Sequence, residues 1–184
     1  MRIRLNNVVI SFPALFKKAQ YKGKETKYEG TFILDKKEHA KEIAIIQKEI
    51  DRILVEEFKT TRAKFKDEKI CLKDGDDSDN PHFVGKFTIK ATNDDKPLTI
   101  DLSKNEISEL NNPFYSGAIV NAVIGMRKMD NEYGKKILAN LYGVQFVKDG
   151  TRLGSNFINI QDSIHDFDSF DIPFNENIEE DLFG

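Results

Sequence analysis

The amino-acid sequence predicts a mainly β domain with one long helix, of the α+β class, followed by an acidic C-terminal tail. Three observations support this prediction. Short segments rich in β-branched and aromatic residues alternate apolar with polar positions, and clusters of Asn, Asp, Gly and Pro separate them. One longer segment instead repeats isoleucine at helical spacing. Finally, basic and acidic residues are distributed unevenly along the 184 residues.

The first two predicted strands flank a basic loop. Residues 2–12 are rich in β-branched residues and end at Pro13, which predicts a strand. Residues 14–26 are short, basic and contain a glycine, so we expect a loop there. A second strand follows at residues 27–34, where Tyr, Gly, Phe and Leu alternate with other residues on one face.

The predicted helix begins at Asp35. This residue has the character of an N-cap, and Glu38 three residues later completes a capping-box pattern. The helix is expected to extend to about Lys59, with Phe65 as its outer limit. Its apolar stripe consists of Ile43, Ile46, Ile50, Ile53, Leu54 and Phe58. Such a stripe is typical of a helix packed on a sheet, and we assign it no active role.

The remainder of the predicted domain is β-rich. Four further strands are expected at residues 82–91, 98–102, 115–129 and 136–147. The preceding segment 74–80 superficially resembles a calcium loop, but it lacks the central glycine and has Gly85 at the bidentate glutamate position, so we expect a solvated loop. Short strands around one helix within about 150 residues fit a small barrel, of which the five-stranded OB-fold is the best-known example.

The charge distribution divides the chain near Gln161. The formal net charge of −3 argues against a nucleic-acid-binding protein, which is expected to be basic. However, residues 162–184 hold eight acidic residues and no Lys or Arg, whereas residues 1–161 carry 28 basic and 23 acidic residues, net +5. We therefore predict a basic binding domain over residues 1–161 and a disordered acidic tail over residues 162–184.

Several functional classes lack support in the sequence. Cys71 is the only cysteine, and three scattered histidines do not form a hydrolase triad or a metal site. Phosphate-binding and dinucleotide-binding glycine motifs are absent, and the Glu-x-Lys spacing of Glu25 and Lys27 has no upstream Pro-Asp strand. We expect no enzyme, metal or cofactor. Because the sequence contains no signal peptide or transmembrane segment, we also expect a cytoplasmic protein without membrane association.

Binding chemistry is better represented, because cationic side chains and tyrosines are interleaved along the basic body. Lysine and arginine can follow a phosphate backbone, and tyrosine rings can stack on any base, so this combination predicts sequence-independent binding of single strands. The candidate residues are Lys17, Lys18, Tyr21, Lys22, Lys27, Tyr28, Arg62, Lys66, Lys86, Lys90, Tyr115, Arg127, Lys128, Tyr133 and Tyr142. Surface lysines also serve solubility, and a tyrosine on a barrel strand can face either the core or the groove.

The acidic tail retains apolar residues. Its four phenylalanines are unexpected in a purely solubilising segment. Apolar anchors among acidic residues suit a basic-rimmed hydrophobic pocket on a partner protein, and the same charges can compete with nucleic-acid phosphates. The candidate partner-binding residues are Asp166, Phe167, Asp168, Phe170, Asp171, Ile172, Pro173, Phe174, Glu179, Glu180, Asp181, Leu182 and Phe183.

Two resemblances extend this interpretation. Residues 171–174, Asp-Ile-Pro-Phe, resemble the acidic tip of bacterial single-stranded DNA-binding proteins, although ten residues follow Phe174. The body resembles a phage-encoded family of single-stranded DNA-binding proteins, formerly grouped as a domain of unknown function. The matching segments are residues 10–13, 15–16, 28–36, 72–76, 115–117, 120–122 and 141–153. The resemblance implies an OB-fold body that binds single-stranded DNA in phage replication, recombination or repair, in the host cytoplasm, with the tail recruiting replication or recombination proteins.

Alternative functions share many of these features. A strand-annealing or recombination-mediator protein would have a similar sequence, and a pure adaptor would use its body to bind protein. A metal-dependent nuclease would require the 74–79 loop, or Glu25 and Lys27, to act in catalysis. The sequence leaves the oligomeric state open, with a homodimer among the options.

Overall fold

The computed structural model describes residues 1–154, and the compact unit that contains the fold spans Met1–Leu153. Its strands in chain order are β1 (Arg2–Ala14), β2 (Gln20–Tyr21), β3 (Lys24–Glu25), β4 (Tyr28–Asp35), β5 (Leu72–Asp74), β6 (Lys86–Asn93), β7 (Leu98–Ile100), β8 (Ile119–Asn131) and β9 (Gly134–Lys148). Helix α1 (Ala40–Arg52) continues into a π-helical turn, Ile53–Glu57. The predicted boundary near residue 161 and all candidate tail residues lie outside the described residues.

Five strands close into a barrel. In order, β6, β4, β1, β8 and β9 are antiparallel neighbours, and a parallel pairing of β6 with β9 closes the ring at Ala91↔Ala139 and Thr92↔Asn140. Strand β5 adds to β6, and β7 adds in parallel to β9. This is the five-stranded arrangement of an OB-fold, so the predicted fold class is confirmed.

The core combines the inner face of the barrel with the apolar stripe of the helix. Alternate residues of the strands point inward because successive side chains of a strand face opposite sides of the sheet. Fully buried barrel residues include Leu5, Val8, Ile10, Phe32, Leu34, Ile89, Ile124, Ile137 and Leu141. Helix α1 packs against β1, and the π-helical turn packs against β8. All six residues of the predicted helical stripe are buried, as expected for a helix packed on a sheet.

The helix begins later than the capping pattern predicts. Asp35 is the last residue of β4, because its backbone pairs with Lys86 of β6. Its Oδ1 accepts hydrogen bonds from the backbone N–H groups of Lys37 and Glu38, at 2.8 and 3.0 Å. Asp35 therefore caps the turn that leads into the helix, and α1 itself begins at Ala40.

Two segments differ locally from the predicted elements. The loop predicted at residues 14–26 contains the β2–β3 hairpin, whose central residues Lys22 and Gly23 both have positive φ, as a type I′ turn requires. The strand predicted at residues 82–91 begins only at Lys86, because Pro81–Phe83 form a 3-10 turn capped by the Asn80 side chain.

Two carboxylates of the acidic loop, those of Asp74 and Asp76, contact neighbouring protein groups. The Lys36 Nζ lies 2.6 Å from Asp74 Oδ1 and 2.5 Å from Asp76 Oδ2, and Asp76 also accepts the N–H of Gly85. Among residues 1–154, no group of His, Cys, Asp and Glu side chains is arranged to hold a metal ion. Within the same residues, no helix has the length and apolar character needed to cross a membrane.

A partly buried ion pair joins two residues of helix α1, Glu49 and the 39% exposed Arg52. Glu49 is only 5% exposed, and its carboxylate accepts hydrogen bonds from the guanidinium of Arg52 at 2.8 and 3.0 Å. These bonds lower the pKa of Glu49, because they favour its charged form more than burial disfavours it. The charged state of Glu49 therefore depends on Arg52, whose guanidinium also contacts Glu56 and Glu57.

We expect the fold to lose stability in acid. Hydrogen bonds hold the pKa of Glu49 below its ordinary 4.5, and that of Asp101 below 3.8 through the N–H and side chain of Asn105. Carboxyl groups with a depressed folded pKa stabilise the protein above their unfolded pKa, and this contribution disappears as pH falls through the folded value. The melting temperature, followed by circular dichroism, should therefore decrease below pH of about 4.5.

The variant Asp101→Asn is the matched comparison, because it keeps the shape of the side chain and removes its charge. It should melt lower than the unaltered protein at pH 7 and lose less stability on acidification. An equal loss in both proteins would contradict the role assigned to Asp101.

Candidate nucleic-acid interface

The outer face of the barrel is polar where β4, β6 and β9 adjoin. The inward positions of β6 and β9 are apolar, at Ile89, Ala91, Ile137 and Ala139. Outward positions on these three strands include Thr31, Thr88, Lys90, Thr92, Lys136 and Leu138. Period-two alternation therefore produces a surface made mainly of hydroxyl and ammonium groups, with Leu138 as its apolar member, directly above an apolar core.

These outward residues line a groove of about 410 Å³, whose other wall is formed by residues 68–71 and 73. Four lysines line it, namely Lys69, Lys73, Lys90 and Lys136. The Nζ of Lys90 lies 2.9 Å from Glu29, and the Nζ of Lys73 donates a hydrogen bond to the carbonyl of Asp67 at 2.8 Å. Glu68 also lines the groove. Ammonium and hydroxyl groups in a row are suited to contacting phosphate oxygens.

A second concavity of about 720 Å³ adjoins the first, because Glu68, Lys73 and Thr88 line both. Its lining includes the candidate Arg62, whose Nε lies 3.5 Å from Asp67. The candidate Lys66 is in the same segment, with its Nζ 3.9 Å from Glu68. The structure therefore places Arg62 along an extension of the groove.

Three candidate cations gather at one end of this face, and we call Lys18, Lys27 and Arg127 the cation cluster. Lys27 precedes β4 and pairs with Asp94 just after β6, with 2.8 Å between Nζ and Oδ2. The Lys18 ammonium lies 5.9 Å from the ring centre of the candidate Tyr28. Arg127 on β8 donates through Nε to Asn140, which pairs with Thr92 of the groove.

Two candidate tyrosines stand at hairpin tips. Tyr21 on the β2–β3 hairpin is 67% exposed, with the Nζ of the candidate Lys22 5.4 Å from its ring centre. Tyr133 in the β8–β9 turn is 78% exposed. Oligonucleotide-binding OB-folds use their second and third barrel strands together with the loops between strands one and two and between four and five. Here those elements are β4, β6 and the two loops that carry Tyr21 and Tyr133.

The other two candidate tyrosines pack against protein groups. The hydroxyl of Tyr115 lies 2.9 Å from Asp149 Oδ1 and accepts the N–H of Gly150, while the Arg152 guanidinium lies 4.2 Å from the ring centre. Tyr142 lies against Gly125, where an added Cβ would be 2.7 Å from the ring. The Arg2 guanidinium is 4.9 Å from the ring centre of Tyr142. Neither tyrosine lines the groove.

Among the described residues, Lys90 is the only candidate lysine that lines the groove, and Lys17, Lys86 and Lys128 lie outside both the groove lining and the cation cluster. Lys17 pairs with Glu109 at 2.8 Å, which raises the pKa of the lysine through their hydrogen bond. The Nζ of Lys86 donates to the carbonyl of His82. Lys128 follows Arg127 on β8, and consecutive strand residues face opposite sides of the sheet.

Sequence reasoning missed three of the four groove lysines. Lys69 and Lys73 belong to a segment for which no strand was predicted, although β5 begins at Leu72. Lys136 lies on a predicted strand, and its position beside the apolar Ile137 could have indicated that its side chain faces outward. The groove assembles these lysines from separate segments, so charge along the chain alone did not identify them.

Phe12 is a further exposed aromatic residue that sequence reasoning missed. It is 73% exposed with a φ of 49°, and it lies in a bulge of β1 between Ser11 and Ala14. Its N–H donates to the Ser116 hydroxyl at 2.9 Å. The alternation from Val8 and Ile10 predicts an inward Phe12, but the bulge reverses this orientation. An exposed aromatic residue with positive φ is strained, and such strain is concentrated at functional sites.

Comparisons with known proteins agree with this fold. The family model of the single-stranded DNA-binding protein of Enterobacter phage Enc34 matches residues 1–183. A structure of the bacteriophage Enc34 single-stranded DNA-binding protein in complex with single-stranded DNA is similar with a TM-score of 0.74 and 30% identity, over 83% of this chain and 89% of that one.

Two further phage proteins are similar. Protein p50 of Acyrthosiphon pisum secondary endosymbiont phage 1 is 30% identical over 186 residues, covering 97% of this chain and 98% of its own length. The single-stranded DNA-binding protein gp2.5 of bacteriophage T7 shares the fold, with a TM-score of 0.53 and 14% identity, over 84% of this chain and 98% of that one.

Proposed function

Because the chain belongs to the single-stranded DNA-binding protein family of Enterobacter phage Enc34, we propose that its barrel binds single-stranded DNA along the lysine-lined groove. The observation that carries this proposal is the row of lysine and threonine side chains across β4, β6 and β9. It lies on the face that oligonucleotide-binding OB-folds use. Phosphate contacts supply affinity without reading sequence, so the binding is sequence-independent.

Base stacking supplies the second part of the proposed binding mode. Phe12, Tyr21 and Tyr133 are the exposed aromatic residues beside the groove or in the two binding loops. Phe12 stands in the bulge opposite the stretch of β4 that contains Glu29 and Thr31. Lys90 lies on β6, on the other side of β4, so one strand separates it from Phe12. In the proposed mode, Phe12 stacks a base and Lys90 contacts a phosphate of the same strand.

The proposed biological role is in phage DNA replication, recombination or repair, in the host cytoplasm. The acidic tail would recruit partner proteins through its phenylalanines and compete with DNA through its charge, as the composition of residues 162–184 supports. The proposal includes no catalytic activity. Incubating a labelled single strand with the protein and magnesium should therefore leave the strand intact, whereas cleavage would favour the nuclease alternative.

Removing groove charges should reduce both affinity and its salt dependence. A fluorescent oligonucleotide is titrated at several salt concentrations with the unaltered protein and with the double variant Lys90→Gln, Lys136→Gln. If each lysine neutralises one phosphate, the slope of log affinity against log salt should become shallower by about 1.4 in total. The control Lys41→Gln removes an exposed charge on α1 and should change the slope little. An unchanged slope in the double variant would contradict the proposed groove.

Truncation of Phe12 should weaken DNA binding without reducing thermal stability. The side chain is exposed, so Phe12→Ala removes a stacking surface and few core contacts. Loss of one base stack should cost about 1–3 kcal/mol of binding free energy. The control Leu110→Ala removes a 96% exposed apolar side chain from a non-aromatic position and should bind normally. Equal affinities of both variants would exclude Phe12 from stacking.

Removal of the tail should tighten DNA binding. A chain that ends at Gln161 loses eight acidic residues, so its affinity at low salt should exceed that of the full chain, and the difference should shrink as salt screens the charges. The matched full-length variant Phe167→Ala, Phe170→Ala, Phe174→Ala retains every charge and should bind DNA like the unaltered protein. The same affinity for truncated and full chains at all salt concentrations would refute the competition.

A further inference from the structure

We propose that the cation cluster of Lys18, Lys27 and Arg127 is a binding site for one backbone phosphate of single-stranded DNA, and that Asp94 occupies this site in the free protein. This inference rests on the proposed function. It adds a specific phosphate subsite to the groove and a carboxylate that competes for it.

The register of the sheet places Asp94 beside Lys27. Strands β4 and β6 are antiparallel, and Tyr28 at the start of β4 pairs with Asn93 at the end of β6. Lys27 and Asp94 are the next residues outward on the two strands, and their side chains meet at 2.8 Å. Their juxtaposition therefore follows from strand pairing and does not depend on a flexible loop.

Backbone hydrogen bonds hold Lys18 near the same point. The N–H of Ala19 donates to the carbonyl of Lys27 at 2.9 Å, and the N–H of Thr26 donates to the carbonyl of Ala19 at 2.7 Å. These bonds place Lys18 next to Lys27, with its ammonium 5.9 Å from the Tyr28 ring centre. A flat aromatic surface therefore adjoins the proposed phosphate position, which suits the alternation of phosphate and base in a single strand.

Arg127 completes the site from the neighbouring strands. Its side chain is oriented by the Nε hydrogen bond to Asn140, at 2.8 Å, and Asn140 is paired with Thr92 two residues before Asp94. The hydrogen bond from Lys27 lowers the pKa of Asp94, and the positive charges of Lys18 and Arg127 lower it further. Three cations thus act on one carboxylate.

A phosphodiester can replace this carboxylate. Both groups carry one negative charge on oxygen atoms that accept hydrogen bonds from ammonium and guanidinium groups. The Asp94 side chain is 71% exposed and that of Lys27 is 38% exposed, so their ion pair is weak and can open into solvent. Asp94 therefore pairs with Lys27 in the free protein and lowers the net affinity for DNA.

The test uses full-length Asp94→Asn, which retains the size of the side chain and removes its charge. In a fluorescent-oligonucleotide titration at low salt, this variant should bind about two- to fivefold more tightly than the unaltered protein. The control Asp51→Asn removes the charge of an exposed carboxylate on α1 and should give a smaller gain. Melting temperatures of both variants establish that the comparison is between folded proteins.

A double-mutant cycle separates the local site from general electrostatics. In a protein that already carries Lys27→Gln, adding Asp94→Asn should increase the affinity for DNA only slightly, because the main partner of Asp94 is absent. Three results would each overturn the inference while leaving the proposed function intact. The first is an equal increase in DNA affinity for Asp94→Asn and Asp51→Asn, and the second is weaker binding by Asp94→Asn. The third is the full increase in affinity when Asp94→Asn is added to Lys27→Gln. Failure of the unaltered protein to bind the oligonucleotide would instead refute the proposed function, and this inference with it.

Discussion

The parallel pairing of β6 with β9 is the constraint on which the rest of the structure depends. It joins the two ends of the strand order at Ala91↔Ala139 and Thr92↔Asn140, and so converts a twisted sheet into a closed barrel. Both alanines are buried, and their small side chains occupy little of the barrel interior at the closure. Closure seals the apolar residues inside and brings Lys90 and Lys136 onto one outer face.

The same closure organises the charges of the binding face. The body has a net positive charge by sequence, but several of its cations are paired with carboxylates, as in Lys90 with Glu29 and Lys27 with Asp94. The ion pair of Lys27 with the 71% exposed Asp94 contributes little to stability, so its partner can be exchanged at small cost, whereas Glu29 is only 18% exposed. A surface built from such pairs suits a protein that must bind and release a polyanion. Because a paired lysine can exchange its carboxylate for a phosphate, the net charge of the body understates the number of cations that can contact DNA.

Much of the fold was predictable because it follows from local periodicity. The β-rich segment 82–91 identified the strand that contains β6, and the isoleucine stripe identified the helix. The exceptions arise where neighbouring strands decide the outcome. Asp35 remains in β4 because it pairs with Lys86, although its side chain bonds the following N–H groups as a cap would. Phe12 points outward because a bulge interrupts the alternation of β1.

The sequence by itself determined the fold class, the separation of a basic body from an acidic tail and the residue types available for binding, because these depend on composition and on periods of a few residues. Only the tertiary structure decided which candidates share a surface. It brought Lys90 and Lys136 to one groove, gathered the cation cluster around Asp94 and packed Tyr115 and Tyr142 against protein groups. The physical reason is that strand order and register bring together residues far apart in the chain, and no local pattern records those pairings.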